Sequence, residues 1–223
     1  MNKFKKIFAF FLLAMSLMIT NAAEAVSIGQ TYQGGIVFFV DTGGQHGLIA
    51  AKVDQNGFPG QLTLPWYKGT YFETNARADG LYAGTGNTEV IISTQTTVGL
   101  ACGEITIPAY CLGAPETIFN YAALVAANYS IQNDGVTPCT GATPEKCYGD
   151  WYLPSKYELN LMYKNIGAGA VGRNKNRGGF AHNFYWSSTE VGAGSAWSQD
   201  FDDGYQYSLD KSSPLPVRAV RVF

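Results

Sequence analysis

Three cations at alternate positions, Arg173, Lys175 and Arg177 in the run GRNKNRGG, are the residues of this sequence best spaced to bind a ligand. An extended segment sends alternate side chains to the same side, so all three charges would face one way. That pattern suits sulfate or carboxylate groups repeated along a polysaccharide, and arginine can hold such groups through two parallel hydrogen bonds. Lys156 and Lys164, a little earlier in the chain, extend the same candidate ligand-binding patch. The bland alternative is a solvated loop kept soluble by its charges.

Other constellations are weaker. Asp200, Asp202 and Asp203 carry the oxygen ligands that calcium prefers, but no Glu-Pro-Asn element accompanies them, and a solvated hairpin turn accounts for the cluster. Trp66, Tyr67, Trp151, Tyr185, Trp186 and Tyr205 could each present a face to a sugar ring, although Trp151 and Trp186 read as core. Ser187 and Ser188 have only His46 and His182 as candidate bases and lack a nucleophile elbow, so no catalytic triad is predicted. Gly167, Gly169 and Gly172 satisfy G-x-G-x-x-G, but after a helix rather than a strand, which removes the dinucleotide reading. No metal, cofactor or catalytic residue is expected.

Lys3, Lys5 and Lys6 precede an apolar run from Ile7 to Ile19, and Ala23-Glu24-Ala25 offers small residues where a signal peptidase cuts. Residues 1–25 therefore read as a secretory leader and residues 26–223 as one domain, destined for the periplasm, the cell surface or the medium. No later apolar run approaches the roughly 18 to 20 residues that a membrane-spanning helix needs. Removing the leader takes three lysines and Glu24 from 15 basic and 17 acidic residues and leaves a net charge of about −4. That balance excludes nucleic acid as a partner held by overall charge, so a polyanion would have to bind a local patch.

Export also bears on Cys102, Cys111, Cys139 and Cys147, because disulfides persist in oxidising compartments. Three pairings can be drawn. The short spacings favour Cys102 with Cys111 and Cys139 with Cys147. A zinc site is the alternative, but it would lack the close C-x-x-C pair of a zinc knuckle.

The elements that must carry these residues are unevenly marked. Ile36 to Asp41 and Gly47 to Lys52 read as central strands joined by a turn containing Gly43 and Gly44. Residues 54–88 read as long loops, with a short helix over Asn87 to Thr97. Ile118, Tyr121, Ala122, Val125 and Tyr129 recur at helical spacing and predict an amphipathic helix over Glu116 to Tyr129. Gly135 to Gly149 reads as a loop. Ser155 and Glu158 form a capping box, which starts a second main helix that Gly167 ends. Gly167 to Phe180 reads as an exposed, mobile loop. Strands resume at Phe184, a hairpin turns at Asp202-Asp203-Gly204, and Val217 to Phe223 reads as a closing strand paired near the N-terminal one.

Four blocks give a resemblance: YGDWYLPSKYELNLMYK from Tyr148, FYWSST from Phe184, AWSQDFDDGYQY from Ala196 and VRAVRVF from Val217. In order and spacing they resemble a bacterial domain-of-unknown-function family related to the C-terminal domain of the Legionella collagen-like adhesin. Tyr32 to Ala51 resembles the opening of the same domain, and Lys52 to Lys146 lies between the matching blocks. The resemblance implies an α+β, C-type-lectin-like fold, with a mixed sheet of short strands, two main helices and long loops. Formylglycine-generating enzymes share that fold, but their reactive cysteine pair falls late in it, whereas every cysteine here precedes Gly149.

The resembled adhesin domain binds sulfated glycosaminoglycan through a basic surface. The functional expectation is thus an exported module that recognises a glycan, possible sulfation included, or a surface protein in adhesion. The alternative is a non-catalytic structural or protein-interaction head.

Overall fold

The apolar run after Tyr32 folds into the centre of the molecule. In the computed structural model, which describes residues 25–55, 62–100, 120–141 and 146–223, strands β1 (Thr31–Tyr32), β2 (Gly35–Val40) and β3 (Gly47–Ala51) form an antiparallel meander. Two of its strands are apolar on both sides because the sheet is covered on both faces. Val37, Ile49 and Ala51 pack on one side with Trp66, Trp151 and Trp186, while Ile36, Phe38, Leu48 and Ala50 pack on the other with Leu159, Met162, Phe180 and Phe201.

Two helices dominate the described residues, and only the one after Ser155 is among the two main helices expected. α1 (Ala83–Leu100) is longer than the predicted Asn87 to Thr97 segment. It turns Gly84, Asn87, Thr88, Ile91 and Gln95 inward, a helical stripe that is mostly polar. The amphipathic helix expected over Glu116 to Tyr129 is reduced in its described part to α2 (Ala122–Ala127); residues 101–119 lie outside the described residues. Tyr121 is extended at its start, and Tyr129 lies beyond its end with its ring edge-on to Trp151. Only alanines and the Tyr121 ring are buried along this stretch, because the wall against Pro65 admits close backbone approach.

β4 (Ile131–Gln132), just before the predicted loop Gly135 to Gly149, pairs with β5 (Cys147–Tyr148) inside it as a short ribbon, and the Cys139–Cys147 disulfide joins the two sides with the Cα atoms 5.9 Å apart. Residues 1–24, all but the last residue of the predicted leader, lie outside the described residues, as do Cys102 and Cys111. No helix among the described residues is long and apolar enough to cross a membrane.

α3 (Lys156–Ile166) begins as the sequence predicts. Ser155 Oγ accepts the Glu158 amide, the Glu158 carboxylate accepts the Ser155 amide, and Gly167 caps the end. Glu158 does more than cap: its carboxylate also accepts the Tyr82 amide and the Tyr152 hydroxyl. Burial raises its pKa despite these donors.

β6 (Phe184–Gly192), β7 (Ser195–Asp200) and β8 (Gln206–Asp210) make a second antiparallel sheet, with β8 at its edge. The last strand, β9 (Val220–Val222), is shorter than predicted but pairs with β3, which joins the two ends of the domain in one sheet. The architecture is α+β, with small antiparallel sheets and long connections.

Candidate functional site

The basic run is not an extended strand. Residues 172–174 form a 3-10 turn, and the backbone takes positive φ at Gly172, Asn176 and Gly179, residue types that enter this region at low cost. The three cations therefore do not share one direction. Nor is the segment loose, for the Asn176 and Gly178 amides donate to the carbonyls of Gly167 and Ile166, each at 2.8 Å. The Asn176 side chain accepts the Phe180 amide and donates to the Phe180 carbonyl.

Arg218 holds the loop from beneath. Its guanidinium is almost fully buried, lies 2.7 Å from Asp54, and donates to the carbonyls of Ala51 and Gly178. It also lies 4.3 Å over the Phe180 ring. An arginine inside a β-branched closing strand is the only sequence signal for this anchor, and its partner stands 164 positions away.

The loop faces a second wall. The turn at Ser27–Gln30 is tied to β2, since Gly29 donates to the Val37 carbonyl and Val37 donates to the Gln30 carbonyl. Gln30 Oε1 accepts the Ser27 amide at 3.0 Å, which fixes the turn internally. Arg177 Nε reaches across to the Gly29 carbonyl at 3.3 Å. Asn174 comes so close that a Cβ on Gly29 would sit 2.3 Å from its Oδ1.

Between the walls lies a cleft of about 330 Å³, lined by Ser27, Ile28, Gly29, Gln30, Arg173, Asn174 and Arg177. It contains two guanidinium groups and no carboxylate. Arg173 has no hydrogen-bond or ion-pair partner among the described residues, and Arg177 uses only Nε. The site is thus cationic, with guanidinium N–H donors left over for a ligand.

The other predicted cations stand elsewhere. Lys175 and Lys164 are exposed but do not line the cleft. Lys156 sits at the opposite end of α3, about 15 Å away along the axis, with its ammonium 3.6 Å above the Trp197 ring. Ser27–Gln30 escapes a reading of the sequence because a short polar turn carries no distinguishing pattern.

Most of the aromatic candidates are core. Trp66, Trp151, Tyr185 and Trp186 are buried, Tyr67 stacks on Tyr71, and Tyr205 is 68% exposed. Asp200 and Asp203 accept backbone amides of their own turn, and Asp202 lies 2.7 Å from His182 Nδ1. Ser187 and Ser188 are fully buried, with Ser187 Oγ donating to the Trp197 carbonyl.

No protein-family model matches the chain, and no curated protein matches it.

Proposed function

We propose that this protein is an exported, non-catalytic binding module of C-type-lectin-like fold that recognises an anionic glycan in adhesion. The observation that carries the reading is the pinned basic loop, in which Arg173 and Arg177 open onto a cleft without a carboxylate. Two guanidinium groups with free N–H donors suit sulfate or carboxylate better than a neutral hydroxyl. Lys175 and Lys164 supply outer charges for a longer chain. The pairing of β9 with the opening meander supports the fold assignment, and the Cys139–Cys147 disulfide is compatible with export.

A glycan array carrying sulfated, uronate-containing and neutral saccharides tests the function. Binding confined to the anionic members is expected. A folded protein that binds none of them would end this reading.

A second reading, a protein-interaction head, draws support from β8, an edge strand flanked by exposed Tyr205 and carrying Tyr207. Self-association through that edge would give a dimer by light scattering at micromolar concentration. A monomer would count against it.

A further inference from the structure

We infer that the cleft between Ser27–Gln30 and Arg173–Arg177 seats one acidic sugar residue, a uronic acid or a sulfated hexose at the end of a saccharide, rather than the middle of a polyanionic chain. The inference rests on the anionic-glycan reading and narrows it to one unit, one orientation and a second wall.

Size is the first argument. A cleft of about 330 Å³ falls at the small end of the range for ligand sites, enough for a single ring with its substituent. Chemistry is the second. Arg173 and the Nη groups of Arg177 are free to donate to one planar or tetrahedral anion, and Arg177 is aimed by its bond to the Gly29 carbonyl. On the facing wall Gln30 uses its carbonyl oxygen on Ser27 and leaves its amide N–H groups for a ligand, while Ile28 offers an apolar surface to a sugar's C–H face. Preorganisation is the third. Both walls are fixed by backbone hydrogen bonds before any ligand arrives, which lowers the ordering cost of binding. Lys175 lies outside the cleft, and that separates this arrangement from a diffuse basic surface.

The test is an NMR titration of the purified protein with methyl β-glucuronide, galactose 6-sulfate and neutral methyl β-galactoside. A heparin-derived octasaccharide is run in parallel. The variants are Gln30→Glu, Arg173→Ala and Lys175→Ala. Gln30→Glu keeps the oxygen that accepts the Ser27 amide, so the wall is preserved while a negative charge enters the cleft. One or both acidic monosaccharides should bind and the neutral one should not; the glucuronide alone would assign a carboxylate, galactose 6-sulfate alone a sulfate ester.

Gln30→Glu and Arg173→Ala should each weaken binding by about tenfold or more, and Lys175→Ala by less than about twofold. If Lys175→Ala weakens binding as much as Gln30→Glu, the anion sits on the open loop. The cleft assignment is then overturned while the glycan function stands. Binding of the octasaccharide but of neither acidic monosaccharide would overturn the cleft assignment in the same way. If no anionic saccharide of either size binds, both the inference and the proposed function fall.

Discussion

The ammonium of Lys211 lies 2.6 Å from a carboxylate oxygen of Glu190, and both side chains are completely shielded from solvent. The pair ties the end of β8 to β6, and both residues also bond the loop that follows Trp66. Lys211 also donates to the Phe72 carbonyl and lies 4.5 Å over the Trp66 ring, while Glu190 accepts the amides of Thr74 and Asn75. Burial pulls the Lys211 pKa below its usual value, and the Glu190 carboxylate opposes that shift. Each charge is tolerable there only because the other is present.

Removing one partner should therefore cost more than removing both. Lys211→Met is expected to destabilise the domain by about 3 to 5 kcal/mol, because it leaves a buried carboxylate without its cation. Adding Glu190→Gln to it should recover part of that loss. Urea denaturation of the two single variants and the double variant measures the coupling, and strictly additive losses would show that the contact is not an energetic pair.

The capping box gives a second expectation. Ser155 Oγ accepts the Glu158 amide at 3.1 Å and donates to the Gly80 carbonyl at 2.7 Å, so Ser155→Ala removes a helix cap and a link to the loop before α1. A loss of about 2 kcal/mol is expected by chemical denaturation. A loss below about 0.5 kcal/mol would mean that Glu158 alone fixes the helix start.

How much of this is legible in the sequence depends on where each residue's partner lies. The Ser155 cap, the central hairpin and the Cys139–Cys147 pair have partners close in sequence, and all three are readable there. The full length of α1 is not, because Asn87, Thr88 and Gln95 fill its buried stripe and hide its period from hydropathy. Gly84 joins that stripe because a Cβ there would meet Glu158 and the Leu153 carbonyl.

The site divides in the same way. Arg173 and Arg177 are visible as charges, but the turn that separates them from Lys175 depends on Gly172 and Asn176 adopting positive φ. The facing wall and the Arg218 anchor depend on contacts across most of the chain, which local pattern does not encode.

Asp134 offers a test in pH. The Thr137 hydroxyl, 2.6 Å away, and the amides of Thr137 and Val136 lower its carboxyl pKa to about 2. Because the folded value lies below the unfolded 3.8, the stabilisation is complete above the unfolded value and is lost as pH falls through about 2. Thr137→Val should move the Asp134 titration upward, measured by carboxyl carbon NMR. An unchanged midpoint would show that the backbone amides alone set it.

Gly29→Ala probes the meeting of the two walls. The position has φ of 84°, and a Cβ would press on Asn174. The variant is expected to lose about 1 kcal/mol of stability and to displace the Asn174 and Arg177 amide resonances. If those resonances stay in place, the walls are not in contact in solution.

The central claim is that the basic loop binds an anionic glycan, and heparin-affinity chromatography over a salt gradient tests it most directly. The protein is run beside a variant with Arg173, Lys175 and Arg177 all changed to alanine. The account expects the parent to be retained and eluted by salt, as exposed charge pairing requires, and the variant to emerge early. Equal retention of both proteins, or no retention of the parent at low salt, would contradict it.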